Sequence, residues 1–134
     1  MDLKTSINAA CRTAEEFTKL YYETMDKRRH LMSKLYLDTG ILAWNGNGST
    51  GKDAIQKYFS DLPPSEHKLL SLDAQPVLED AVSSQHTILI LVSGTVKFNA
   101  ESTDVKQRSF QQHFLVTAQG DKWKIASDCV RHHQ

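Results

Sequence analysis

Gly46-Asn47-Gly48-Ser49-Thr50-Gly51-Lys52 carries glycine and lysine at the spacing of a phosphate-binding loop. In such a loop the backbone amides cradle phosphates, the lysine reaches the terminal ones, and a following Ser or Thr holds magnesium. Here Asp53 follows Lys52, and its carboxylate would repel those phosphates. The repeated βαβ units that normally frame the loop are also missing from the pattern. The segment is read as a glycine turn entering a capped helix.

The six histidines invite a metal reading. His132 and His133 are adjacent and point to opposite faces of an extended chain. His67, His86 and His113 fall on separate predicted strands, with no paired-ligand spacing. No metal and no cofactor are expected, and His113 is expected to find a hydrogen-bond partner at an interface. Asp26-Lys27-Arg28-Arg29-His30 could touch RNA or phosphate, but it also reads as the solvated start of a helix. Tyr21, Asp38, Asp73, His113 and Asp128 could serve as acids and bases. No subset of them has a diagnostic spacing, and there is no nucleophile elbow or cofactor fingerprint. The expectation is a protein that is not an enzyme.

Asp73 stands apart. It lies mid-strand between Leu72 and Ala74 and close to Gln75, where a carboxylate needs a cation or several donors. No Lys or Arg beside it in sequence serves. A distant residue of this chain, or a residue of another chain, must pair with it.

The elements that carry these residues follow from periodicity. Ile7, Ala10, Ala14, Phe17, Tyr21 and Met25 recur at spacings of three and four, which predicts one face of a first helix. Asp26 is placed to cap a second, shorter helix through Leu31, Met32 and Leu35, which Asp38-Thr39-Gly40 should stop. A short strand 41–44 and a turn cluster 45–51 follow. Thr50-Gly51-Lys52-Asp53 resembles a capping box for a third helix with Ala54, Ile55, Tyr58 and Phe59 inward, ended by Pro63-Pro64.

The period then changes from 3.6 to 2. Strands are expected at 67–77, 85–98, 107–119 and 122–131, as an antiparallel meander after helices, the α+β pattern. Strands this long in a small domain imply a strongly bent sheet. Pro76 suggests an edge position or a bulge. Along 85–98, Ile88, Ile90, Val92, Val96 and Phe98 share the core parity, interrupted by Gly94. The opposite parity holds Thr87, Leu89, Leu91, Ser93, Thr95 and Lys97 and is half apolar. Along 107–119, Phe110, Phe114, Val116 and Ala118 alternate with Ser109, Gln111, His113, Leu115 and Thr117. A mixed second face fits either a protein–protein interface or an open sheet with stray aliphatics.

The chain has 134 residues, and sixteen Lys and Arg balance sixteen Asp and Glu. One domain spanning 1–134 is expected. The neutral balance disfavours direct nucleic-acid binding. The longest aliphatic run, Ile88 to Val92, is too short to span a bilayer, so no membrane association is expected. Cys11 and Cys129 are read as free thiols of a reducing compartment, with a single disulfide as the alternative.

Several segments together resemble the nuclear transport factor 2-related export proteins, the small subunits of the nuclear mRNA export receptor. They are Ala10-Cys11-Arg12, Ala14-Glu15-Glu16-Phe17, Tyr21-Tyr22, Thr24 to Arg29, and Trp44-Asn45-Gly46-Asn47. Asp73 with Gln75-Pro76-Val77, Gly94 with Val96-Lys97-Phe98, Phe114 with Thr117-Ala118-Gln119, and Trp123 to Cys129 complete the set. The resemblance implies a nuclear transport factor 2-like cone of three helices on a curved, mostly antiparallel sheet. It implies a non-enzymatic adaptor that heterodimerises, sheet on sheet, with the similar domain of the large receptor subunit, shuttles between nucleus and cytoplasm, and supports docking at the nuclear pore. Pore proteins would be met indirectly. Asp73, with Gln75 beside it, would meet an arginine of the partner. Alternation adds Leu69, Leu89, Leu91, Gln111 and His113 to the interface, and the resemblance alone adds Cys129.

Two alternatives belong to the wider superfamily. A homodimeric carrier of Ran-GDP uses a Glu directly after the tryptophan of its W-x-G segment, where this chain has Asn45. The stretch after Phe98 lacks the carrier's acid cluster, though Glu101 and Asp104 remain. Isomerases and dehydratases of the same cone need acid–base groups inside a pocket, and the sequence places no such set.

Overall fold

The computed structural model describes residues 3–77, 86–98 and 106–133. Gln85, Glu101 and Asp104 lie outside the described residues. Helix α1 (Leu3–Lys27) leads into a 3₁₀ turn, η1 (Arg29–Leu35). Strands β1 (Tyr36–Trp44) and β2 (Asn47–Thr50), helix α2 (Lys52–Ser60), β3 (Ser65–Val77), β4 (Thr87–Phe98), β5 (Gln107–Gln119) and β6 (Lys122–His133) follow. One six-stranded sheet runs in the order β2-β1-β6-β5-β4-β3. Among the described residues only the β1–β6 pair is parallel, and the other four pairs are antiparallel. Three helical segments on a bent, mostly antiparallel sheet is the expected α+β architecture. Among the described residues no helix is long and apolar enough to cross a membrane.

α1 buries Ala10, Ala14, Phe17, Tyr21 and Met25 as its spacing predicts, but Ile7 is exposed near the helix start. The two small alanines let the helix lie close to the sheet, and Phe17 and Tyr21 meet Phe114 edge-on at ring-centre distances of 5.9 and 4.8 Å. Such pairs add to the roughly 1.5–3 kcal/mol that burying each large apolar side chain contributes. β4 turns Ile88, Ile90, Val92 and Val96 into this core, and β5 turns in Phe110, Phe114 and Val116.

Several local expectations are corrected. Asp26 does not cap the second helix; it lies in the last turn of α1. Its carboxylate accepts from Ser65 Oγ at 2.7 Å and the His67 backbone N–H at 2.8 Å, and meets His67 Nδ1 at 2.7 Å. A cap satisfies one amide, whereas here one side chain ties α1 to the start of β3. Asp38-Thr39-Gly40 does not stop a helix but lies inside β1, where the register with β6 slips between Tyr36 and Ile41. The turn cluster holds a strand. Asn45 (φ 50°) and Gly46 (φ 88°) form a two-residue turn with both residues left-handed, so Trp44 pairs with Asn47. The expected capping box is absent: Gly51, at φ 88°, precedes α2, no side chain caps it, and its own N–H donates to Gly40 O at 2.8 Å. Ile55 and Phe59 are buried, but Ala54 is exposed.

Lys52 pairs with Asp38 at 3.1 Å, and residues 47–50 are strand. The apparent phosphate-loop spacing is therefore a hairpin followed by a helix. In the basic run, Lys27, Arg28 and His30 are exposed as expected, but Arg29 turns inward. Its guanidinium donates to the carbonyls of Met25 (3.1 Å) and Leu62 (2.7 Å) and to Ser65 Oγ (2.9 Å), joining α1, the end of α2 and β3.

Candidate functional site

The helices cover one face of the sheet and leave the other open. On the open face the strand registers set the side chains in rows. One row runs Asp73, Leu91, His113 and Cys129, across β3, β4, β5 and β6. Beside it on one flank runs Gln75, Leu89, Leu115 and Ser127, and on the other Ser71, Ser93, Gln111 and Arg131. Side chains so paired lie close enough to act as one surface. The bend makes this surface a shallow depression of about 460 Å³. Seven of the sequence-derived residues, Asp73, Gln75, Leu89, Leu91, Gln111, His113 and Cys129, stand together here.

Leu69 does not share their rows. The β3–β4 register slips between Leu69 and Ser71, which sets Leu69 opposite Gly94, in line with Val92 and Val96. A bulge of one residue exchanges the faces on either side of it, so alternation counted through it misplaces Leu69. Gly94 marks the spot. A Cβ added there would collide with the Lys68 carbonyl and come within 3.0 Å of Phe110, so the bulge needs glycine opposite it. Ser93 and Leu115, which alternation puts on the mixed face without choosing them for the interface, stand in these rows, and so do Ser71 and Arg131, which sequence reasoning does not select. Arg131 shares its parity with Cys129 and could have been found that way.

The face mixes apolar and charged groups. Leu91 is 47% exposed, Leu89 and Cys129 are half-buried, and Asp73, Gln111, His113 and Arg131 are exposed. Among the described residues the two ion pairs are Lys52–Asp38 and Asp26–His67, so Asp73 has no ionic partner among them. Ser71 and Ser93 hydrogen-bond to each other across the strands. Cys11 and Cys129 are free thiols, Cys11 on α1 and Cys129 on the open face.

Behind this face lies a polar cluster in the core. Asp128 is fully buried. Its Oδ2 accepts from Tyr21 (2.9 Å) and Tyr36 (2.5 Å), and its Oδ1 from Gln112 Nε2 (2.7 Å). Gln112 Nε2 also donates to the Tyr21 hydroxyl at 3.0 Å, and Gln112 Oε1 accepts from Tyr22 at 2.6 Å. Burial raises the Asp128 pKa to about 6, against the three hydrogen bonds that favour the anion. Burial, then the Asp128 charge, raises Tyr21, Tyr22 and Tyr36 well above the ordinary phenol value. The cluster brings Tyr21 and Asp128 together but encloses them, with every Gln112 amide hydrogen and the Gln112 oxygen occupied.

At the end of β6, His132 packs against Trp44 with ring centres 4.9 Å apart. The Asn45 amide oxygen accepts the His132 backbone N–H at 2.8 Å, so the carboxamide that stands where the Ran carrier has Glu is used within this chain. Burial lowers the His132 pKa to about 4. Among the described residues no group of three or more His, Cys, Asp or Glu is placed to hold a metal ion.

Comparison with known proteins places this geometry. Residues 13–132 match the Nuclear transport factor 2 (NTF2) domain. NTF2-related export protein 2 of Homo sapiens is 52% identical, the alignment covering 98% of this chain and 92% of that protein. Among solved structures, nuclear transport factor 2 from Cryptosporidium parvum superposes with a TM-score of 0.80 at 20% identity, covering 99% of each chain. The Chaetomium thermophilum Mex67 NTF2-like domain complexed with Mtr2 matches at a TM-score of 0.74 and 17% identity, over 91% of this chain and 97% of that one. The chain belongs to the nuclear transport factor 2 domain family.

Proposed function

We propose that this chain is the small, non-enzymatic subunit of an mRNA export receptor. On this reading its open sheet face pairs with the NTF2-like domain of the large receptor subunit, and the pair shuttles between nucleus and cytoplasm through the pore. The row Asp73–Leu91–His113–Cys129 carries the reading. An exposed leucine beside a carboxylate with no ionic partner among the described residues suits a partner that offers apolar surface and one cation. The 52% identity to an export protein supports it, as does the solved pair of Mex67 NTF2-like domain and Mtr2, two chains in one complex.

The interior supports a binding role over catalysis. Asp128, the one fully buried carboxylate among the described residues, is enclosed by Tyr21, Tyr36 and Gln112, and Phe110, Phe114, Ile90 and Phe59 fill the space around the sheet's inner face. The Ran-GDP reading finds no support in Asn45, whose amide binds His132.

Co-expression with the NTF2-like domain of the large subunit tests the proposal. A 1:1 complex is expected, with a specific interface of ~1,600 Å² in total. Separate migration of the two chains at micromolar concentration overturns it.

A further inference from the structure

The inner face of the sheet continues past the core. Leu42, Val96, Phe110 and Val130 are buried on it. One alternation step further along the same strands come Trp44 on β1, Phe98 on β4, Arg108 on β5 and His132 on β6, and Lys106 lies one step beyond Arg108. Together with Leu62 and Pro63, which follow α2, these residues line a trough of about 390 Å³. Arg108 and Lys106 thus take inward-parity positions at the end of an apolar row, and both are exposed there. Among the described residues no Asp or Glu lines the trough, and neither cation is in an ion pair. Two cations beside apolar walls favour an anion with an apolar body.

His132 adds a directed donor. The Asn45 amide oxygen accepts the His132 backbone N–H, and the Asn45 amide nitrogen lies 3.0 Å from His132 Nδ1. Nδ1 is then the acceptor, so the neutral ring carries its proton on Nε2. That nitrogen is sealed from solvent and has no hydrogen-bond partner among the described residues, a costly state for a donor. Arg108 is close enough to His132 for its charge to act on the ring.

We infer that this trough is a binding site for a small aromatic carboxylate. The carboxylate lies between Arg108 and His132 Nε2, with Lys106 at the rim, and the aromatic body rests against Leu62, Pro63 and Phe98. Phe98 is half-buried at the last residue of β4, with its ring centre 5.6 Å from that of His132. Turning this ring aside opens Nε2 to the carboxylate. The volume suits one or two fused rings. A nucleic-acid strand fits less well, because it needs a track of cations and successive open aromatic faces. Here two cations stand at one end, and Trp44 is buried. The trough is on the inner side of the sheet and Asp73 and Leu91 are on the outer side, so the site does not depend on heterodimer formation.

The test is an NMR titration of the full chain with 2-naphthoate. Three controls accompany it: 2-naphthamide, which keeps the rings without the charge, acetate, which keeps the charge without the rings, and an oligouridine of about ten nucleotides. Naphthoate is expected to bind at least about tenfold more tightly than each control. It should shift the Trp44 indole N–H and the Arg108 and His132 amides and leave the Trp123 indole N–H in place. Arg108→Glu, at an exposed position, should weaken binding by about tenfold or more without changing the melting temperature. His132→Phe, which keeps a ring but removes the donor, should weaken it several-fold. Asp73→Arg should leave it unchanged. Equal binding of the amide, tighter binding of oligouridine, full affinity in Arg108→Glu, shifts confined to Trp123 or to the open face, or no binding at millimolar naphthoate would each overturn the proposal.

Discussion

Gln112 Nε2 lies 2.7 Å from Asp128 Oδ1 across the β5–β6 pair, in the interior between α1 and the sheet. The same amide nitrogen reaches Tyr21 and the amide oxygen takes the Tyr22 hydroxyl. One glutamine therefore holds two residues of α1 against the last two strands of the meander. Gln112→Leu removes a donor from a buried carboxylate and an acceptor from a buried phenol together. We expect a loss of roughly 2–4 kcal/mol in urea denaturation, larger than for a leucine-to-alanine change at an exposed site.

Asp128 and His132 make opposite contributions to pH dependence. The folded-state Asp128 pKa, about 6, lies above its unfolded value, so this group stabilises the fold at low pH and the contribution is lost as pH rises through about 6. The folded-state His132 pKa, about 4, lies below its unfolded value, so its contribution is present above about pH 6.5 and lost as pH falls toward 4. The two offset each other between these limits. In Asp128→Asn, acidification across this window should lower the melting temperature more steeply than in the parent. In His132→Gln it should lower it less, or raise it. For Asp128 the difference between the ends of the window is roughly 2–3 kcal/mol. Parallel profiles for parent and both variants would contradict the assignment.

Gly94→Ala should cost about 1–3 kcal/mol, since its Cβ would run into the Lys68 carbonyl and the Phe110 ring. Amide exchange should accelerate first in β3 around Leu69 and Ser71, where the register slips. Uniform destabilisation without local opening would show that the bulge is not what the glycine protects.

Arg29→Met should destabilise the chain by roughly 2–3 kcal/mol, measured by denaturation. It leaves the Met25 and Leu62 carbonyls and the Ser65 hydroxyl without their shared donor. Arg29→Lys should recover only part of this, because one ammonium cannot span the same three acceptors.

Pairing with the large subunit separates Leu91 from Leu69. Leu91→Ser and Asp73→Arg should each weaken a pull-down by about tenfold or more while leaving the melting temperature of the free chain unchanged. Leu69→Ser should weaken it far less, because the register sets Leu69 opposite Gly94 rather than in the row of Asp73. Equal losses at Leu69 and Leu91 would show that the rows do not define the contact.

Much of this architecture is legible before any coordinates. Alternation over 107–119 gives the bounds of β5 as observed, because a sheet buried on one face imposes period two from Phe110 to Val116, and only the buried Thr117 departs from it. The short β2 is not legible from apolar pattern, since Asn47-Gly48-Ser49-Thr50 has none; only the Asn45-Gly46 turn announces it. Six of the eight face residues come together because parity survives along β4, β5 and the second half of β3, while Cys129 on β6 comes from the resemblance alone. Leu69 fails because the bulge that moves it leaves its mark on Gly94 of the neighbouring strand. The Asp128 cluster is hidden for a related reason. Its partners Tyr21 and Tyr36 lie 107 and 92 positions away, and nothing local in sequence distinguishes a satisfied buried carboxylate from a surface one.

The sheet order has a consequence for how the chain comes into being. β6 is the last described strand in the sequence, yet it stands third in the sheet, between β1 and β5. During synthesis α1, β1 and β2 emerge first and must wait for β6 before the two halves of the sheet can join. Until then β1 lacks its parallel neighbour, and Tyr21 and Tyr36 lack the Asp128 carboxylate they donate to. Long-range closure of this kind slows folding and exposes aggregation-prone surface meanwhile. Loss of a few residues within β6 would therefore split the sheet at its middle rather than trim its edge.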